Sequence, residues 1–211
     1  MLETPKALLF DLDGTLVDSR QDIAAACNHA LERAGRPLLA LDAVTRMIGD
    51  GSRTLLARAF QLPGDALELD GAMADFSAYY TQCPAVFTTF LPGAQAALEQ
   101  LGTRYRLALV TNKPRVITMK VLDAMGMTRH FKAITGAGDG PLKPDPAPIL
   151  RVLAELEVEP RDAWMIGDGP QDIGAAKAAG TVSVLVGPPS FEATVTIPTL
   201  FDLPPLLARS T

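Results

Sequence analysis

The chain has 211 residues, 48% hydrophobic and 20% charged, a composition that can bury a core unaided and excludes disorder for the bulk of the chain. Nineteen basic residues against 24 acidic ones leave a net charge of −5, which argues against nucleic acid or an anionic membrane as partner. The two cysteines, Cys27 and Cys83, form no CxxC pair, so neither a disulfide framework nor a zinc site is expected, and a cytoplasmic setting fits.

The first element is an apolar run, Ala7–Phe10, ended by Asp11. Glu3 and the shortness of this run argue against a signal peptide or anchor, and no apolar stretch nears the ~20 residues of a membrane helix. From Leu16 to about Thr88 no convincing strand is visible. Ile23, Cys27, Ala30, Leu31 and Ala34 keep helical spacing and are stopped by Gly35 and Pro37. Leu55, Leu56, Ala59 and Phe60 predict a second helix after Gly49-Asp50-Gly51-Ser52, and Leu67 to Tyr80 a third. Phe90-Leu91-Pro92-Gly93 marks a return, followed by a helix over Ala94–Leu101. Four further apolar runs, Leu107–Val110, Ala133–Ile134, Trp164–Ile166 and Val182–Val186, alternate with helical stretches at Pro114–Met125, Pro146–Glu155 and Asp172–Ala179. That alternation predicts βαβ units and a parallel sheet, with ligands bound beyond the carboxyl ends of the strands. Pro188 to Thr211 holds five prolines and little signal.

Polar residues gather at those strand ends. Asp11 and Asp13 follow the first run, two positions apart and so on one side of an extended chain, with Gly14 permitting a sharp turn. Packed together they repel and call for a cation or a shared proton. Thr111 and Asn112 end the second run, where a hydroxyl and an amide suit either phosphate oxygens or a helix cap. Lys143 stands in a turn after the third, and Asp168 ends the fourth with Asp172 one helical turn later. Each has a bland reading as turn, cap or surface charge. Together, four carboxylates in one cleft demand neutralisation, which Lys143 and an oxygen-seeking dication such as Mg²⁺ would provide.

The order DxDGT, TN, KP, GDxxxD resembles the four motifs of the haloacid dehalogenase-like (HAD) superfamily over nearly the whole chain. The stretches FDLDGTLVDS, TNKP, KPDPAPIL and IGDGPQDIGAAKAAG are similar to bacterial phosphoglycolate phosphatases. The resemblance implies an α/β fold: a Rossmann-like parallel core over 1–15 and 89–211, with a helical cap inserted at 16–88 and hinges near Leu16–Asp18 and Thr88–Gly93. It implies Asp11 as nucleophile and Asp13 as general acid and base. Thr111 and Asn112 would hold phosphoryl oxygens, and Lys143 would offset charge. Asp11, the Asp13 carbonyl, Asp168 and Asp172 would be the Mg²⁺ site. The implied activity is hydrolysis of a small phosphorylated metabolite, 2-phosphoglycolate foremost, through an aspartyl-phosphate. One departure is Gly169, followed by Pro170, where relatives often carry Ser or another polar residue.

Asp13 argues against dehalogenation, and a cap without lysine excludes Schiff-base chemistry there. A β-phosphoglucomutase-like phosphotransferase, a phosphatase for sugar phosphates, nucleotides or pyrophosphate, and a non-catalytic phosphate-binding regulator stay open. In the cap, Gly51 allows close approach to a ligand, and Arg53, Arg46 or Arg58 would grip a leaving-group carboxylate. The alternative is a helix start capped by Ser52 with solvated arginines. His29 and His130 have no assigned role. The oligomeric state is not fixed by the sequence.

Overall fold

The computed structural model describes residues 3–209; residues 1, 2, 210 and 211, which the core boundaries above include, lie outside them. In chain order the strands are β1 Ala7–Phe10, β2 Val17–Asp18, β3 Thr89–Phe90, β4 Arg106–Pro114, β5 Ala133–Ala137, β6 Ala163–Gly167, β7 Val182–Val186 and β8 Val195–Ile197. The helices are α1 Arg20–Arg33, α2 Leu41–Thr45, α3 Ser52–Phe60, α4 Glu68–Gln82, α5 Ala94–Leu101, α6 Arg115–Ala124, α7 Ala147–Leu156, α8 Pro170–Ala179 and α9 Leu203–Leu207.

Six strands form a parallel sheet in the order β5-β4-β1-β6-β7-β8. β1 is buried throughout and lies between β4 and β6, so the strands carrying Asp11, Thr111 and Asp168 are immediate neighbours. Alternation along the pleat divides the core in two. Leu8 and Phe10 face one apolar cluster with Leu109 and Trp164, while Ala7 and Leu9 face another with Val110, Ile149 and Met165. The first cluster continues into α1, α3 and α4 through Ile23, Leu31, Leu56 and Phe76, so the helices between β2 and β3 are packed on the sheet's own core.

The expectation of no strand between 16 and 88 needs correction. Val17–Asp18 pairs antiparallel with Thr89–Phe90, a two-residue ribbon at the point where the chain leaves and re-enters the core. Buried Asp22 reinforces this junction by accepting from the Phe87 amide at 3.0 Å and the Thr88 hydroxyl at 2.6 Å. A pairing this short leaves no periodicity to read. The C-terminal stretch also holds more than expected: β8 is the sixth strand, an edge strand whose three residues include exposed Thr196. Ser52 is the first helical residue of α3 rather than its cap; Gly51, at φ +87°, takes that place.

Candidate active site

The backbone amide of Asp11 donates to Ile166 O at 2.9 Å and so extends the β1–β6 pairing by one residue. The chain then turns sharply, with the Gly14 amide donating to Val17 O at 2.9 Å. Gly14 has φ +93°, and a Cβ there would stand 2.3 Å from Asp168 Oδ2; glycine lets the two strand ends close on each other. Gly167 does the same for Asp172, whose Cγ would lie 2.2 Å from an added Cβ.

Three of the expected carboxylates meet. Asp11, Asp168 and Asp172 each offer an oxygen within 4.8 Å of the others. Lys143, reached from the turn after β5, donates at 2.6 Å to Asp11 Oδ1, to Asp172 Oδ1 and to Val110 O, which uses all three of its protons. The Thr15 hydroxyl donates to Asp168 Oδ1 at 2.8 Å, and the Gly169 amide to Asp172 Oδ2 at 3.0 Å. That amide is a polar contact retained at the position that departs from the family pattern.

The electrostatics follow from burial. Desolvation pushes Asp11 up to about 8; Lys143 pulls it down, while Asp172 and Asp168 push it further up. Desolvation likewise raises Asp168 to about 6, against the pull of the Thr15 hydrogen bond. Burial alone would lower Lys143, but Asp11 and Asp172 outweigh it and hold the ammonium above its ordinary range. Three carboxylates facing one lysine carry surplus negative charge in a dry place. An all-oxygen, anionic donor set of this kind fits a hard divalent cation such as Mg²⁺.

Asp13 stands apart from this cluster. Its carboxylate accepts from Ser19 Oγ at 2.5 Å and from Lys113 Nζ at 3.0 and 3.1 Å. Lys113 is buried, donates to the Tyr80 hydroxyl of α4 at 2.8 Å, and sits 4.3 Å from the centre of the Tyr80 ring. Burial would lower the Lys113 pKa, yet Asp13 and Tyr80 raise it, so it is a permanent cation. Burial also pushes Tyr80 up to about 12, so it remains a hydroxyl.

Thr111 is buried beside Asp11 with its Oγ1 accepting from the Lys113 amide at 3.2 Å, which leaves the hydroxyl proton to donate. Asn112 lies at the expected strand end, but its side chain is engaged elsewhere. Its amide nitrogen donates to Lys143 O at 2.9 Å and to Gly49 O at 3.1 Å, and its oxygen accepts from the Lys143 amide at 2.8 Å. The side chain is a strut between loops, not a free phosphate ligand. Gly51 lines the narrower cavity that also touches Asp11 and Asp13, and an added Cβ there would meet Leu142 Cδ1 at 3.0 Å.

Arg53 is not brought there. Its guanidinium donates to Gly64 O at 2.6 Å, Asp70 Oδ1 at 2.7 Å and Ala66 O at 3.3 Å, on an exposed face. The reason is helix phase: Ser52 and Leu55 line the cavity, and Arg53 lies about 100° around from Ser52. Arg58 pairs with Asp50 at 2.5 Å, and Asp50 in turn accepts from Gln171 of α8 at 2.5 Å. Arg46 lines the outer cleft. His29 stacks on Tyr79, and neither histidine lines a cavity at the site.

Two cavities meet at Asp11, Asp13 and Gly49. One, of about 530 Å³, opens over Asp168, Asp172 and Lys143. The other, about 50 Å³, lies between β4 and the helices, under Tyr80 and Leu55. Sequence reasoning missed Thr15, Ser19, Tyr80, Lys113 and Gln171. Thr15, Ser19, Lys113 and Gln171 stand inside the quoted motif stretches; Tyr80 carries no local signal.

The family model for haloacid dehalogenase-like hydrolases matches residues 8–186. A phosphoglycolate phosphatase of Pseudomonas aeruginosa is 39% identical over 183 residues, covering 83% of this chain and 67% of that protein. The phosphoglycolate phosphatase of Rhodospirillum rubrum is 38% identical over 192 residues, with coverage of 86% and 79%. A crystal structure from Haemophilus somnus, described as a predicted phosphoglycolate phosphatase, superposes with a TM-score of 0.87 at 27% identity, over 98% of this chain and 99% of that one. Among the described residues no helix is long and apolar enough to cross a membrane. The chain belongs to the haloacid dehalogenase-like hydrolase family and is a phosphoric monoester hydrolase resembling the bacterial phosphoglycolate phosphatases.

Proposed function

We propose that the protein hydrolyses a small phosphorylated metabolite, 2-phosphoglycolate before others, through an aspartyl-phosphate, with Mg²⁺ as cofactor. The observation that carries this reading is the division of labour between two carboxylates on one turn. Asp11 is buried among Lys143, Asp168 and Asp172, and Asp13 is held apart by Ser19 and Lys113.

Asp11 is the nucleophile: a carboxylate oxygen forms a bond to phosphorus as the ester P–O bond breaks. Asp13 gives its proton to the departing alkoxide oxygen. It then takes a proton from water, whose oxygen attacks phosphorus, releasing inorganic phosphate and restoring the Asp11 carboxylate. The Thr111 hydroxyl donates to a phosphoryl oxygen. Lys143 compensates the charge of Asp11 and fixes its direction. Asp11, Asp168 and the Asp13 carbonyl, with Asp172 in support, would hold Mg²⁺, which would supply charge neutralisation at the phosphoryl oxygens. Residues 16–88 act as a cap on the core of 1–15 and 89–211, keeping water from the charged centre. Two unpaired cysteines, Cys27 buried, support a cytoplasmic setting.

The test is phosphate release, with and without Mg²⁺, from 2-phosphoglycolate, sugar phosphates, nucleotides and pyrophosphate, beside an Asp11→Asn control. Mg²⁺-dependent release from 2-phosphoglycolate that Asp11→Asn abolishes is expected. No release from any substrate, or interconversion of phosphosugars without release, overturns the reading.

A further inference from the structure

We propose that Lys113 and Tyr80 form the receptor for the leaving group, and that they select a small leaving group bearing a carboxylate. This rests on the phosphatase reading above and assigns its specificity to two residues that no motif role covers.

The narrow cavity shares Asp11 and Asp13 with the wider cleft, so a phosphoryl group on Asp11 would project its ester oxygen past Asp13 into this space. The walls are mostly apolar, with Ile23, Leu55 and Phe76 among them. Lys113 is the cation in that lining. Its ammonium carries three protons. Asp13 accepts from it through both oxygens, at 3.0 and 3.1 Å, and the Tyr80 hydroxyl accepts at 2.8 Å; counting the forked contact with Asp13 as one proton leaves one for a ligand. Tyr80 Oη accepts from Lys113, so its own hydroxyl proton is also free to donate. Two adjacent donors, one charged, against an apolar wall match the two oxygens of a carboxylate. Elsewhere near the centre, Lys143 is committed to Asp11, Asp172 and Val110 O, Arg58 to Asp50, Arg20 to Asp18, and Arg53 to Gly64, Ala66 and Asp70, while Arg46 lines the wider cleft and not this cavity.

Size sharpens the choice. The cavity, about 50 Å³, matches a two- or three-carbon hydroxy acid, whereas a sugar or nucleoside would have to extend into the wider cleft. The buried charge also discriminates against a neutral leaving group, which would fill the cavity and leave the ammonium's spare proton unpaired.

The experiment compares 2-phosphoglycolate with ethyl phosphate, which has a methyl group in place of the carboxylate. The ratio of their kcat/KM values is measured for the wild type, Lys113→Met, Lys113→Arg and Tyr80→Phe, all checked for folding by circular dichroism. Lys113→Met is expected to lower the ratio about 10- to 100-fold, chiefly through KM for 2-phosphoglycolate, with partial rescue by Lys113→Arg. Tyr80→Phe, the milder change, is expected to lower it about 3- to 10-fold. Glycolate binding, read by calorimetry, follows the same order without turnover. Equal losses for both substrates, together with unchanged glycolate binding, would show that Lys113 serves Asp13 alone and overturn the proposal. A wild type that binds glycolate but releases no phosphate overturns the catalytic reading and leaves the receptor standing.

Discussion

Gly14 offers a sharp test of how the carboxylate cluster is assembled. In Gly14→Ala the new methyl group would lie 2.3, 2.7 and 2.8 Å from Oδ2, Cγ and Oδ1 of Asp168, where ordinary contact begins at 3.4 Å. The carboxylate must therefore retreat by about 1 Å, a displacement that can cost about 10²-fold when it moves a reacting constellation. The backbone adds strain, since φ +93° is unfavourable for any residue with a Cβ, costing about 1–3 kcal/mol. Gly35→Ala separates these effects: Gly35 also has positive φ, +65°, but nothing lies within 4 Å of an added Cβ. Both variants should lose thermal stability. Gly14→Ala alone should weaken Mg²⁺ activation about 10- to 100-fold in phosphate-release titrations. Unchanged Mg²⁺ dependence in a folded Gly14→Ala protein, or an equal activity loss in Gly35→Ala, would refute the claim that this glycine exists to admit Asp168.

Two further outcomes follow from the buried charges. Without metal, the native protein binds more protons than the unfolded chain between about pH 4 and 8, because Asp11 is raised to about 8 and Asp168 to about 6. Stability in chelator should therefore be full near pH 4 and fall as pH rises to 8, with added Mg²⁺ flattening the profile; fluorescence of the single tryptophan, Trp164, reports the midpoint, and a flat profile in chelator contradicts the assignment. Lys143→Met removes the cation touching Asp11 and Asp172 and should cost about 3–5 kcal/mol in denaturant melts at pH 9, and less at pH 5 where Asp11, raised to about 8, is protonated; an equal cost at both pH values would count against it.

The strand-end residues were legible because their positions depend on the chain's nearest neighbours. Asp11, Thr111 and Asp168 each follow an apolar run, and parallel strands bring such ends together whatever lies between. Arg53 was misplaced because its direction depends on the phase of α3, which one residue of uncertainty at the helix start rotates by about 100°. Asn112 sits where expected, but its amide is taken up by Gly49 and Lys143, partners 63 and 31 positions away. Lys113 was visible as a letter and opaque as a role, since its meaning comes from Tyr80, 33 residues earlier on another element. The edge strand β8 is too short to leave a pattern.

The central placement of β1 also sets the order of events in folding. Residues 7–10 pair with 106–109 on one side and 163–166 on the other, so the strand bearing Asp11 has no sheet partner until roughly half the chain has been synthesised. The second partner, with Asp168 and Asp172 just beyond it, comes later still. Contacts so distant in sequence carry a large loop-closure cost and form slowly. A nascent or C-terminally shortened chain that stops before β6 therefore holds Asp11 without Asp168 and Asp172, the carboxylates that cluster with it. Under the proposed function, such a fragment is expected to release no phosphate.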